Sequence, residues 1–257
     1  MSLLHAEYLK VTRRKLYPIM LLLLAVLLGF VAVLFYVILP ALPDAAQAGA
    51  TPPDRPEAFV YGAVQVAGQA WWFAVILATT LLGGEVAGTV WATALTRDAR
   101  KSAHIASRFT MYTVASWLAF IVGTAVWAVV TVFAAGGSGS PDVGEWLGLL
   151  WKFAVIAAAW TSIGMGAVAL TRSIGAAMGI ALGLSFLDSI IAPFVSVYEN
   201  FSLTAAANGI FDVGGDGPFG SFIPGNGMAT AHALAVMAGW AIAGLGLTWW
   251  GLRRRDA

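Results

Sequence analysis

Apolar residues in this chain come in long solid runs, separated by short polar stretches and without two-residue alternation. Six runs stand out, at 16–39, 64–83, 109–135, 147–170, 174–195 and 229–250. Each holds about 20 residues or more, enough at about 1.5 Å per residue to cross about 30 Å of hydrocarbon. Runs of this kind predict spanning α-helices, because the strands of a membrane barrel would alternate in polarity.

The stretches between the runs differ in character. Residues 40–63 are rich in Ala and Pro, and Pro52, Pro53 and Pro56 oppose helix continuation there. Residues 136–140 read as a Gly-Ser turn. Residues 196–228 carry turn signals at Gly214-Gly215, Gly217-Pro218 and Pro224-Gly225. They also carry Phe201, Ile210, Phe211, Phe219, Phe222 and Ile223, which predicts short interfacial or re-entrant helices in an outer loop. At the start of the chain, Leu4, Tyr8 and Val11 follow i, i+4, i+7 spacing with Leu3 beside them, and Lys10, Arg13 and Arg14 lie largely off that stripe. This predicts a basic amphipathic helix over 1–15, with Lys10, Arg13, Arg14 and Lys15 at the membrane surface.

Charge then orients the runs. Twelve of the 14 Lys and Arg residues fall before run one, between runs two and three, between runs four and five, or in the tail. The opposite side has Arg55, with Lys152 just inside its boundary, and most of the acids. Basic residues collect on the cytoplasmic side, so both termini are expected there. Trp71, Trp72, Trp146, Trp151, Trp249 and Trp250 near the run ends fit an interfacial aromatic belt. The first run is far longer than the apolar core of a cleavable signal, so an anchor is expected instead. The expected fold is all-α: one polytopic transmembrane domain over 1–257, with six spans, an N-terminal interfacial helix and both ends cytoplasmic.

Composition narrows the function. The chain is 60% apolar and 11% charged, with mean hydropathy +0.82, far from a soluble domain. A net charge of +1 gives no general attraction to nucleic acid. The absence of Cys removes disulfides, thiolate metal sites and a cysteine nucleophile. The three His are scattered and no H-E-x-x-H occurs, so no metal site is expected. Gly136-Gly137-Ser138-Gly139 with His232 offers a weak match to an intramembrane serine hydrolase; a Gly-Ser turn explains it as well, and no catalytic residue is assigned.

The segment 84–108 reads G-E-V-A-G-T-V-W-A-T-A-L-T-R-D-A-R-K-S-A-H-I-A-S-R. It is helix-compatible, too polar to span, and suited either to docking a partner or to setting topology. Glu85, Gly88 and Thr89, followed by Thr96, Arg97 and Arg100 and then Arg108, resemble the E-x-x-G-T and T-R-x-x-x-R segment of the membrane subunits of type-2 ABC transporters. The six-span layout, the basic amphipathic start and the Thr171-Arg172-Ser173 turn agree with that family. Asp98 stands where the family commonly has Pro, and Arg108 where Lys is usual.

The resemblance implies a permease subunit of an exporter in the bacterial inner membrane. Its partners would be two copies of a cytoplasmic ATPase, a second permease copy or paralogue, and membrane lipid. The coupling segment would comprise Glu85, Gly88, Thr89, Trp91, Arg97, Asp98, Arg100, Lys101, His104 and Arg108. Mg-ATP would be bound by the partner. No Lys here follows a Gly, so no phosphate-binding loop exists and the chain is not expected to be an enzyme by itself. The substrate expected is amphipathic: a drug, an antibiotic peptide or a lipid-like molecule. The alternative is an ATP-independent carrier or scaffold; a carrier needs ionisable residues near mid-membrane and broken helices, for which Asp188 alone speaks.

Two intramembrane charges complete the reading. Lys152 and Asp188 fall at similar depth on neighbouring runs, which predicts either an ion pair or a lining of the outer cavity. Gly175, Gly179 and Gly183 form a G-x-x-x-G-x-x-x-G face, expected to pack within the subunit or, alternatively, to form a dimer seam.

Overall fold

The structure, a computed structural model, describes residues 3–38, 55–88, 100–134, 143–191, 194–211 and 228–253. Its described residues form helices and turns, with no strand among them. In order these are α1 (Leu3–Arg13), α2 (Leu16–Val33), α3 (Arg55–Ala87), α4 (Lys101–Ala134), α5 (Val143–Thr171), α6 (Ile174–Ile191), α7 (Ser196–Glu199), α8 (Leu203–Phe211) and α9 (Thr230–Arg253). A wider π turn over Leu34–Ile38 extends α2.

Five of these helical segments are long and apolar enough to cross a membrane: Leu16–Ile38, Gly62–Ala87, Lys101–Phe133, Val143–Thr171 and Thr230–Arg253. The helix form suits an apolar medium because every interior backbone polar group is satisfied within the segment. The run expected over 174–195 behaves differently. Its apolar helix is shorter, Ile174–Asp188, and α6 stops at Ile191, where the N–H groups of Phe194 and Val195 turn back onto the Ile191 carbonyl.

Helix α5 is the centre of the bundle. Of its most apolar stretch 78% is buried, against 18% for α2 and 17% for α9. Helix α2 buries only Met20, Leu24, Leu28 and Ala32, one side chain per turn. Its other faces expose Ile19, Leu22, Leu23, Val26 and Phe30, an apolar surface that water would not tolerate and lipid would.

The α5–α9 contact is made by backbone. A Cβ on Gly244 would lie 2.5 Å from the Ser162 carbonyl carbon, and one on Gly251 would lie 2.7 Å from the Ala169 oxygen. The two contacts are seven residues apart on both helices. Gly166 serves the same packing, facing Gly244 of α9, and Gly164 packs α5 against Val75 and Ala78 of α3. The glycine face of α6 does not: a Cβ at Gly175, Gly179 or Gly183 would meet no atom within 4 Å. The expectation that this face packs within the subunit is therefore corrected, since α6 turns Ala177, Ala181, Ser185 and Asp188 inward instead.

Aromatic rings join α4, α5 and α8 in the core. Phe120 of α4, Phe153 of α5 and Phe211 of α8 form consecutive edge contacts at 5.7 and 5.8 Å between centroids. Such pairs add about 0.5–1.5 kcal/mol beyond burial. The turn between α5 and α6 places Arg172 at a φ of 59°, a left-handed helix end at which Gly is the usual residue.

Candidate functional site

Three helices meet at a buried cluster of four charges. Helix α1 contributes Glu7 and Lys10, the end of α3 contributes Glu85, and the second turn of α4 contributes Arg108. Glu7 is 5% exposed, and Glu85 and Arg108 are each 2% exposed. The Arg108 guanidinium donates from Nε to Glu85 Oε2 at 2.7 Å, and its Nη2 lies 2.6 Å from the same oxygen. Nη2 also lies 3.7 Å from Glu7 Oε1. The remaining nitrogen, Nη1, donates to the His104 carbonyl at 3.1 Å. The Lys10 ammonium bridges the other sides, donating to both oxygens of Glu7 at 2.8 Å and to Glu85 Oε1.

Two carboxylates and two cations sum to zero, which is what allows them to be buried together. The geometry also follows from local sequence. Glu7 and Lys10 are one helical turn apart. His104 and Arg108 are likewise one turn apart, so the His104 carbonyl near the start of α4 lies under the guanidinium. Removing one member of such a cluster would strand a charge, at about 3–5 kcal/mol. Tyr112, one further turn along α4, is fully buried beside the cluster, and its hydroxyl has no hydrogen-bond partner.

Of the residues singled out from sequence in 84–108, Glu85, His104 and Arg108 come together here. Gly88 closes α3, its N–H donating to the Gly84 carbonyl at 3.0 Å. Arg100 offers its carbonyl to the N–H groups of Ala103 and His104 and is exposed; Lys101 opens α4. Thr89, Trp91, Arg97 and Asp98 lie outside the described residues. Lys10, grouped from sequence with the membrane-surface cations, is turned inward to the cluster, because Glu7 and Glu85 both face it. Arg13, Arg14 and Lys15 stay exposed. Glu7 lies outside the sequence expectation, because the apolar stripe of α1 does not mark it and its partner Arg108 comes from α4. Leu4 and Tyr8 of that stripe are exposed, and Val11 is buried.

At the other end of the bundle Asp188 is occupied in a different way. Its carboxylate accepts from the Tyr198 hydroxyl and the Ser202 hydroxyl, each at 3.0 Å. It also accepts the backbone N–H of Leu203 at 3.3 Å and of Thr204 at 2.8 Å. These two N–H groups begin α8, where an anion suits the unpaired donors and the helix dipole. The expected Lys152–Asp188 pair is thus corrected: the carboxylate is spent on α7 and α8. The Lys152 ammonium lies over the rings of Phe211 and Trp151, 5.3 and 5.9 Å from their centroids. Burial first, then the Asp188 charge and the hydrogen bond to it, push the Tyr198 hydroxyl up to about 12.

The outer segment expected as short interfacial helices contains α7 and α8, and α8 buries nearly its whole length inside the bundle. His232 is exposed, with Nε2 at 2.8 Å from the Asn200 carbonyl. Ser138 lies outside the described residues. Among the described residues no group of three or more His, Asp or Glu is arranged to hold a metal. No family model matches the chain, and no curated protein is similar to it in sequence.

Proposed function

We propose that the chain is the permease subunit of a type-2 ABC exporter. In this reading it spans the bacterial inner membrane six times, with α6 as the fifth span and both termini cytoplasmic. Residues 84–108 dock on a separate cytoplasmic ATPase that binds Mg-ATP. Two ATPase copies act on two permease copies, the second being this chain or a paralogue. The cargo is amphipathic: a drug, an antibiotic peptide or a lipid-like molecule. Helix α1 lies along the cytoplasmic leaflet.

The observation that carries this reading is the pairing of Glu85 with Arg108. These residues stand at the two ends of the segment that resembles a coupling element. A segment that passes a push from a soluble partner into spanning helices must be held at both ends. A neutral, buried, multiply bonded charge cluster holds it, and it resists shear because any displacement strands a charge. Lys10 and Glu7 fasten α1 to the same point, so α1, α3 and α4 would move together.

The test is co-purification in mild detergent of wild type and of Arg97→Glu/Arg100→Glu. Retention of an ATPase by wild type and its release by the charge reversal is the expected result. If no ATPase binds under any condition, the ABC reading fails and the ATP-independent carrier or scaffold takes its place.

A further inference from the structure

We infer that the elbow between α1 and α2 is a docking site for anionic phospholipid headgroups, and that lipid bound there holds α1 onto the charge cluster. The inference rests on the membrane reading of the preceding section and adds the class of lipid and its effect.

The argument begins with where the acid of α1 goes. Glu7 is the only acidic residue among the first 43. The structure buries it against Lys10 and Arg108, which removes it from the outer surface. Lys10 is consumed in the same cluster. What remains on the outside is Arg13, Arg14 and Lys15, all exposed and all without an ion-pair partner among the described residues. Among the described residues the exposed charges of the elbow are therefore all cationic, although the helix as a whole carries an acid.

Its surroundings select lipid over a soluble anion. On one side of the three cations α1 exposes Leu4 and Tyr8; on the other α2 exposes Ile19, Leu22 and Leu23. A headgroup phosphate at the cations would place its acyl chains along the exposed Ile19, Leu22, Leu23 and Val26 of α2. Free phosphate would gain only the charge. Each basic residue near an anionic leaflet adds its own attraction, so three predict a strong preference for charged over zwitterionic lipid.

The link to the cluster is short. Arg13 follows Lys10 by one turn of the same helix, and Lys10 holds Glu85. Lipid that fixes the elbow thus fixes the reach of Lys10 to the end of α3.

The experiment uses the full chain in nanodiscs of phosphatidylcholine alone or with phosphatidylglycerol. Hydrogen exchange is read at the amides of α1 and α2, and bound phosphatidylglycerol is counted by native mass spectrometry. Wild type is expected to retain phosphatidylglycerol at least about tenfold better than Arg13→Gln/Arg14→Gln/Lys15→Gln. It is also expected to protect α1 more in the anionic discs, a difference the triple variant loses. Equal retention, or equal α1 protection in both discs, overturns the inference. So does inorganic phosphate reproducing the protection in neutral discs. Failure of the membrane reading would show separately, as rapid exchange in α2 in every disc.

Discussion

The carboxylate of Asp188 accepts the backbone N–H of Thr204 at 2.8 Å, across 16 residues of chain. This contact, with those to Leu203, Ser202 and Tyr198, makes Asp188 the cap of a helix it does not belong to. Asp188→Ala removes a buried acceptor from four donors and is expected to cost about 2 kcal/mol. Hydrogen exchange should rise across 203–211 more than across α5. Asp188→Asn keeps one acceptor oxygen and should fall between wild type and Asp188→Ala in thermal stability.

Tyr198 reports the same cap by titration. Its hydroxyl is raised from about 10 to about 12 by burial, by the Asp188 charge and by its hydrogen bond to Asp188. A folded value above the unfolded one means that the associated stability is fully present below pH about 10 and is lost as pH rises through about 12. Phenolate absorbance, taken as the difference between wild type and Tyr198→Phe, should show that late titration. In Asp188→Asn it should move back toward the ordinary range, short of reaching it, because burial remains.

The charge cluster predicts non-additivity. Glu85→Gln leaves Lys10 and Arg108 facing Glu7 alone and should destabilise by about 3–5 kcal/mol. Adding Arg108→Met removes the excess charge and leaves Glu7 with Lys10, a neutral pair one turn apart. The double variant should therefore melt higher than Glu85→Gln in mild detergent. A double variant that melts lower than both singles would show that the cluster is not organised by charge balance.

Much of this architecture was legible from residue pattern, and the exceptions have identifiable causes. Long apolar runs marked five segments long and apolar enough to cross a membrane, because length and hydropathy are local properties. The run at 174–195 predicts a helix as long as the others; its apolar helix ends sooner, at Asp188, and an acid drawn toward partners 10–16 residues away leaves no local trace. Glu85 was legible as a residue of the segment 84–108, but its partner Arg108, 23 residues on, was not fixed by the sequence. Glu7 was not legible, because its burial is decided by α3 and α4, which contribute Glu85 and Arg108 from elsewhere in the sequence. The glycines misled for a related reason: Gly175, Gly179 and Gly183 have the conspicuous spacing on one helix, whereas Gly166 and Gly244 are matched across two helices.

That contrast is testable. Gly244→Ala puts a methyl into the backbone of Ser162 and is expected to cost about 1–3 kcal/mol. Gly179→Ala meets open space and should leave the melting temperature of the monomer within error or raise it slightly, since Ala favours helix over Gly. The two variants, measured side by side in one detergent, give opposite answers if α5 and α9 are packed as described.

The heptad-spaced contacts of Gly244 with Ser162 and of Gly251 with Ala169 carry a mechanical consequence. A seam made of side chains can creep, because rotamers change one at a time. A seam made of main chain has no such intermediate steps: it holds in one register or lets go along its length. Helices α5 and α9 therefore behave as a single beam, and bending or sliding falls to the helices packed on the other faces of α5.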